Sequence, residues 1–325
     1  MASSPRVLVV KLSSLGDIFH ALPAVHNLKV GLDAVIDWAV QSEYADLVHC
    51  FDDVDRVIPF RRRAVLAGFP RLLKELRRDH YDLAVDFQGL LKSAAVALLA
   101  RGRRKIGPSF HREGAWIFYS SVAGDRNKER HAVDENLDVV RHLRLDLLAP
   151  RFAISFPAAD LDAGGPRVAL LPLSRWPSKN WPLDRFAAVG RRLQEEVGAS
   201  IFIFGSAADR GACDRLAGSL AEGPVFNRAG QTGLPELGGA LAAMDLVITN
   251  DSGPMHMAAA TGTPTLALFG PTDPRRTGPY GDQHRVLTPD CGCRPCFSRR
   301  CRQPGLPCLH DITVAQVAAT ARDML

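Results

Sequence analysis

The feature that most limits what this chain can fold into is a repeated alternation of short apolar runs with longer amphipathic stretches. Compact apolar runs lie at residues 7–10, 83–86, 168–171, 201–204, 246–249 and 265–269. Runs of that length and texture are typical of strands buried on both faces of a parallel sheet. Between them, the spacing of apolar positions predicts helices over 66–78, 92–99 and, begun by Pro182, 183–196. Strands alternating with helices in this way predict an α/β fold of doubly wound parallel sheets. At 325 residues the chain is long for one core. Pro150, Pro157 and the run Asp160-Leu161-Asp162-Ala163-Gly164-Gly165-Pro166 interrupt the periodicity as a linker would. The expected division is therefore 1–160 and 161–325, two Rossmann-like domains facing each other across a cleft.

Composition narrows the function classes. With 46% hydrophobic and 23% charged residues, the chain has an ordinary globular balance that excludes wholesale disorder. The apolar run at 7–10 stops at Lys11, too short for a signal peptide, and no stretch approaches the roughly 20 apolar residues of a membrane span. The sequence predicts a soluble, cytoplasmic protein. Its net charge of +5 is gathered in clusters: Arg61, Arg62 and Arg63; Arg101, Arg103, Arg104 and Lys105; and the pairs Arg275/Arg276 and Arg299/Arg300. Such clusters suit phosphorylated small molecules or anionic lipid head groups, and each is also compatible with a solvated basic face. Basic residues are not interleaved with aromatic ones, which argues against nucleic acid.

In open parallel sheets ligands sit beyond the carboxyl ends of strands, so the loops that follow strands are where chemistry is expected. The first is Lys11-Leu12-Ser13-Ser14-Leu15-Gly16-Asp17, leading into a helix start. Asp17 fits two readings there, a helix-capping carboxylate or a carboxylate presented to substrate. The second is Ser174-Arg175-Trp176-Pro177-Ser178-Lys179-Asn180-Trp181, where hydroxyls and a Lys flanked by two Trp precede a helix. The third is Asn250-Asp251-Ser252-Gly253-Pro254-Met255-His256, running from a strand end into an Ala-rich helix. Unpaired backbone N–H groups and the helix dipole make that position suited to a diphosphate, with His256 one turn in. No Gly-x-Ser-x-Gly elbow is present, so a hydrolase triad is not expected.

Taken together, these segments resemble glycosyltransferase family 9, the ADP-heptose:lipopolysaccharide heptosyltransferases. The resemblance rests on three stretches. They are the opening Val-Leu-Val-Val-Lys-Leu-Ser-Ser-Leu-Gly-Asp-Ile-Phe-His-Ala-Leu-Pro-Ala, the segment from Tyr81 to Ser93, and Asn-Asp-Ser-Gly-Pro-Met-His with Leu-Phe-Gly-Pro-Thr-Asp-Pro. It spans about residues 6 to 281. Within the family, Gln-Gly-Leu-Leu-Lys-Ser and the Ile-Asp-Trp at 36–38 are most similar to heptosyltransferase I.

The resemblance implies a GT-B fold, with acceptor on the N-terminal domain, donor on the C-terminal one, and the last helix (about 313–325) packing back on the N-terminal domain. It implies inverting transfer from ADP-heptose to a Kdo residue of a Kdo–lipid A acceptor at the inner face of the inner membrane, with no cofactor required. Asp17 corresponds to a general base and Lys179 to the lysine on the departing diphosphate. Ser174, Asp251, Ser252, Gly253 and His256 correspond to donor contacts. Lys11, Ser14, Gly16, Arg61, Arg62 and Arg63 fall on the acceptor side, and Asp209 is placed near the ribose without a residue-by-residue match. Arg175 departs from the family, which has a hydroxyl residue there.

Five of the seven cysteines form Cys291-x-Cys293-x2-Cys296-x4-Cys301-x6-Cys308. In a reducing compartment this cluster fits either reduced thiols or a structural metal site away from the chemistry. Three other activities fit less of the sequence: heptosyltransferase II or another family 9 enzyme acting on a heptosylated core, a GT-B-fold sugar-nucleotide epimerase, and a nucleic-acid-binding Rossmann protein.

Overall fold

Residues 4–61, 65–220, 223–301, 303 and 307–325 are described by the structure, a computed structural model. The chain divides into two compact units, Met1–Ser155 and Phe156–Leu325. The first unit runs β1 (Arg6–Val10), α1 (Leu15–Leu32), β2 (Val35–Gln41), α2 (Ala45–Val48), β3 (Arg56–Phe60), α3 (Val65–Leu76), β4 (Leu83–Asp86), α4 (Leu91–Leu99), β5 (Lys105–Pro108), β6 (Ser121–Ala123), α5 (Ala132–Asn136) and α6 (Asp138–His142). The second begins with β7 (Arg167–Leu171), α7 (Leu183–Val197), β8 (Ser200–Ile203), α8 (Arg210–Gly218), β9 (Val225–Asn227) and α9 (Leu234–Ala242). It continues with β10 (Leu246–Asn250), α10 (Gly253–Ala260), β11 (Thr265–Leu268), α11 (Pro274–Thr277), β12 (Arg285–Leu287), α12 (Pro307–His310) and α13 (Val314–Arg322).

Each unit is built on a six-stranded parallel sheet, and the two sheets share one wiring. The first has the order β3-β2-β1-β4-β5-β6, the second β12-β11-β10-β7-β8-β9. Counted from its own first strand, the first half reads 3-2-1-4-5-6, the doubly wound Rossmann order expected from the alternation of elements. The second carries the same pattern about its own first strand, with three strands on one side and two on the other. The order reverses between β1 and β4, paired Val7↔Leu83 through Val10↔Asp86, and between β7 and β10, paired Val168↔Leu246 through Leu171↔Thr249. At such a reversal the connecting helices leave on opposite faces and a crevice opens beyond the strand ends.

The strands at these reversals are apolar because helices cover both faces. Val7, Leu8, Val9 and Val10 are all fully buried, as are Val168, Leu170, Leu246, Val247 and Ile248. Strand β2 departs from that texture by carrying Asp37 at its middle. Its carboxylate is compensated by Arg6 at 3.0 Å, Arg56 at 2.5 Å and the Tyr81 hydroxyl at 2.7 Å. Helix α7 ends at Gly198, whose positive φ of 65° closes the last turn without the penalty a Cβ would bring.

The closing helix α13 packs on α7, with Val317 and Ala321 fully buried in the second unit's core. Its apolar face covers a stripe of α7 that would otherwise be exposed, and Arg322 adds an ion pair with Glu196 at 3.1 Å.

Candidate functional site

In the first unit, the loop between β1 and α1 is held from below. Gln88, just past β4, accepts hydrogen bonds through its side-chain oxygen from the backbone N–H groups of Leu12 (3.1 Å) and Ser13 (3.0 Å). Lys11 is buried, its ammonium donating to the Phe87 carbonyl at 2.7 Å. Burial pushes its pKa below the ordinary lysine value, against the opposing pull of Asp17, Asp86 and Glu135. Asp86 is also fully buried and accepts from the Tyr119 hydroxyl (2.6 Å), the Ser93 hydroxyl (2.8 Å) and the N–H groups of Gln88 and Gly89. Burial raises its pKa, and those four donors pull it back down.

Asp17 lies on the first turn of α1, half-buried, with one carboxylate oxygen accepting from the Ser14 N–H (3.0 Å) and the Ser14 hydroxyl (2.6 Å). The capping reading is thus realised, and in the same place the carboxylate feels the charge of Lys11. Gly16 is buried behind it and Ser14 is exposed. Lys11, placed on the acceptor side by the resemblance, is buried inside the unit beneath the loop. Arg61 is exposed immediately after β3, at the same carboxyl edge of the sheet. Arg62 and Arg63 lie outside the described residues.

The crevice of the second unit has different chemistry. Lys179 pairs with Asp251 at 2.6 Å, both largely buried, and the Thr272 hydroxyl donates to the same Asp251 oxygen at 2.6 Å. The Lys179 ammonium also lies 4.6 Å from the Trp176 ring centre, a cation–π contact, and the Arg299 guanidinium lies 5.2 Å from that ring. Ser174 donates through its N–H (2.8 Å) and hydroxyl (2.9 Å) to the Asn180 side-chain oxygen. Asn250 bridges the two loops, accepting from the Trp181 N–H at 3.1 Å and donating to the Pro172 carbonyl at 2.6 Å. Ser252 caps α10, Gly253 opens it with Pro254 behind, and His256 is buried one turn in. The first-turn N–H groups of a helix have no intrahelical acceptor, and this end carries the positive end of the helix dipole. Asp209, after β8, accepts from the Ser206 N–H (2.9 Å) and hydroxyl (2.6 Å).

Sequence reasoning missed a third contributor, the segment just after Cys293. Arg294 donates to the carbonyls of Gly270, Thr272 (3.1 Å) and Pro289 (3.3 Å), and the Phe297 N–H donates to the Pro271 carbonyl at 2.9 Å. The Ser178 hydroxyl donates to the Ser298 carbonyl at 2.7 Å, and Leu309 and Cys308 pack against Gly270. Residues 294–298 thus form a strap over the loops that carry Lys179 and Thr272. Neither an Arg nor a backbone N–H in such a segment has a local sequence signature, so nothing in the spacing pointed to it.

Among the described residues, no three His, Cys, Asp or Glu side chains gather as a metal-ligand group. Cys291 and Cys293 approach to 3.8 Å between sulfurs, while Cys308 is buried against the loop at Gly270. Burial, and after it the neighbouring thiols, push the Cys291 thiol up to about 11, which keeps it protonated.

The model of glycosyltransferase family 9 (heptosyltransferase) matches residues 69–306. The chain is 31% identical over 322 residues to lipopolysaccharide heptosyltransferase 1 of Pseudomonas aeruginosa, covering 91% of this chain and 87% of that protein. Among solved structures it is similar to E. coli heptosyltransferase WaaC with ADP, at a TM-score of 0.82 and 27% identity, covering 98% of this chain and all of that one. The E. coli ADP-heptose heptosyltransferase II superposes at a TM-score of 0.80 with 24% identity, covering 98% of both chains, a likeness of fold.

Proposed function

Because the chain belongs to glycosyltransferase family 9, we propose that it moves heptose from ADP-heptose to a Kdo residue of the lipopolysaccharide inner core, with inversion at the anomeric carbon. The observation that carries this reading is the Lys179–Asp251 pair beside the N-terminus of α10, at the strand-order reversal of the second unit. It supplies a cation, a hydroxyl and helix N–H groups for a diphosphate, and the similar WaaC structure is one with ADP. The donor then occupies the second unit (161–325 by sequence) and the acceptor the first (1–160).

In this scheme the acceptor oxygen attacks the anomeric carbon as the bond from that carbon to the diphosphate oxygen breaks. ADP leaves with the electron pair. Asp17 takes the acceptor's proton, which lowers the barrier for a poor nucleophile. Lys179 and the α10 N–H groups, with Ser252 and Gly253, offset charge on the leaving group, and Ser174 and His256 line the donor loops. Asp251 orients Lys179 and receives a sugar hydroxyl of the donor. Ser14, Gly16, Lys11 and the basic residues Arg61, Arg62 and Arg63 serve the acceptor side. No cofactor enters this scheme. The reaction takes place in the cytoplasm at the inner face of the inner membrane, where a lipid-borne acceptor is presented.

The test is ADP release from ADP-heptose with Kdo–lipid A, with a heptosylated core, and with neither. Release that depends on Kdo–lipid A is the expected result. Release only with the heptosylated core would move the assignment to heptosyltransferase II. ADP-heptose consumed without acceptor, and an altered sugar released, would indicate epimerase chemistry.

A further inference from the structure

One stretch of the first unit is left unused by this mechanism. Between Leu91 and Lys128 there are eight Lys and Arg against two acidic residues, a balance of +6 in a chain whose total is +5. The rest of the chain therefore sums to about −1, so the excess positive charge resides in these 38 residues. Lys92, Arg101, Arg103, Arg104 and Arg112 are exposed.

The same stretch carries exposed apolar side chains. Helix α4 packs against the short turn Ala115–Phe118. It buries Ser93, Ala94, Val96 and Ala97 inward. Leu91 and Leu98, seven residues apart and hence on one helix face, are 44% and 47% exposed. Trp116 and Ile117 on the adjoining turn are 57% and 60% exposed. The Leu91 N–H donates to the Glu113 carboxylate at 3.2 Å, which ties the start of α4 to the segment leading into that turn. Large apolar side chains gathered on a surface mark an interaction site. An exposed Trp beside aliphatic and basic residues fits the boundary between lipid head groups and acyl chains, where the ring is buried and the cations meet phosphates.

We propose that α4 and the 115–118 turn form a docking surface for an anionic phospholipid membrane. Trp116, Ile117, Leu91 and Leu98 enter the interface and the flanking Arg and Lys side chains pair with lipid phosphates. The surface rests on the reading above insofar as a lipid-borne acceptor gives docking its purpose. It also adds a position: α4 starts three residues after Gln88, which holds the loop of Asp17. A bilayer met by α4 is thereby brought near the loop assigned to the acceptor. No helix among the described residues is long and apolar enough to cross a membrane, so contact through this patch is interfacial.

The full chain is to be sedimented with vesicles of phosphatidylethanolamine and phosphatidylglycerol, and separately with phosphatidylcholine vesicles. ADP affinity and the thermal midpoint are measured on the same samples. The expected result is binding to the anionic vesicles alone, weakened by salt through screening. Trp116→Ser with Ile117→Ser should weaken binding by about tenfold through lost apolar burial. Arg103→Glu with Arg104→Glu should weaken it by at least about 25-fold, taking roughly fivefold per basic charge removed. Both pairs should leave ADP affinity and the thermal midpoint unchanged. Failure of the wild type to bind anionic vesicles, or undiminished binding by either pair, would overturn the proposal. So would a wild-type dimer that the Trp116/Ile117 pair turns into a monomer while neither binds vesicles, because the patch would then be covered by a second copy. Loss of ADP binding by the wild type with vesicle binding intact would instead remove the transferase reading and leave the docking surface standing.

Discussion

The two strand-order reversals share one topology and differ in almost everything else. Beyond β1 and β4, two buried charges, Lys11 and Asp86, lie beneath a loop whose half-buried acidic group is Asp17. Beyond β7 and β10, an ion pair, a hydroxyl and a helix N-terminus converge. The wiring of a doubly wound sheet fixes where a ligand sits, and the residue types in the loops fix which ligand it is. A second contrast sharpens the point. Asp17 after β1 and Asp209 after β8 make the same reciprocal box with a Ser three residues earlier, with hydroxyl distances of 2.6 Å in both. The box is therefore a helix-starting device. What distinguishes Asp17 is the buried cation of Lys11 nearby, whereas Asp209 helps to raise the pKa of a buried thiol, Cys213, after burial itself.

The largest expected effect tests that contrast. Asp17→Asn keeps an acceptor oxygen for Ser14 and removes the proposed base, so kcat should fall by about 10²–10⁴-fold with ADP affinity and thermal midpoint retained. Asp209→Asn, altering the same box in the other unit, should leave kcat within a few-fold of wild type. Equal losses from the two variants would break the comparison and reduce Asp17 to a cap.

Next in size is the second crevice. Lys179→Met should weaken ADP binding by roughly 10–100-fold, the loss of a charge-assisted contact in a largely buried site. It also leaves Asp251 without its cation, so the thermal midpoint should drop. Adding Asp251→Asn should restore the midpoint but not the affinity. Arg294→Lys keeps the strap's charge but not its fork of donors, and a rise of about threefold to tenfold in the donor KM at constant kcat is expected. An unchanged donor KM would show that the loops hold their shape without the strap.

The smallest effect concerns pH, where the halves differ in sign. Burial lowers the His284 pKa to about 4 in the second unit. Stability from keeping that ring neutral is complete above about pH 6.5 and is lost as pH falls through 4. In the first unit burial raises the Asp86 pKa, so its contribution is lost as pH rises instead. His284 is partly exposed, which limits the effect to on the order of 1 kcal/mol. His284→Gln should flatten the acid loss of stability between pH 6.5 and 4 in calorimetry. An unaltered acid profile would remove His284 as its source.

The strands at the reversals were legible because burial on both faces demands unbroken apolar runs, as in Val7-Leu8-Val9-Val10. Strand β2 was not, since Asp37 interrupts its run and the partners that neutralise it, Arg6, Arg56 and Tyr81, come from elsewhere in the chain. Strands β9 and β12 have three residues each, too few for periodicity. The loops after β1, β7 and β10 were legible for their position and composition. Gln88, Asn250, Thr272 and Arg294 were not, because each acts through hydrogen bonds to segments remote in sequence. The cysteine spacing left thiols or a metal open, and it gave no sign that the segment's contacts are made to the neighbouring loops.

The placement of α13 has a consequence for translation. Trp181, next to the Lys179 loop, donates its indole N–H to the Ile312 carbonyl at 3.0 Å, and α13 completes the cover of α7. The second unit therefore cannot finish its core until α13 has cleared the ribosome. A premature stop near residue 311 would leave every strand of both sheets encoded, yet it would strip a wall from that core. Such an allele should behave as a null, and its product as a substrate for proteases rather than as a slow enzyme.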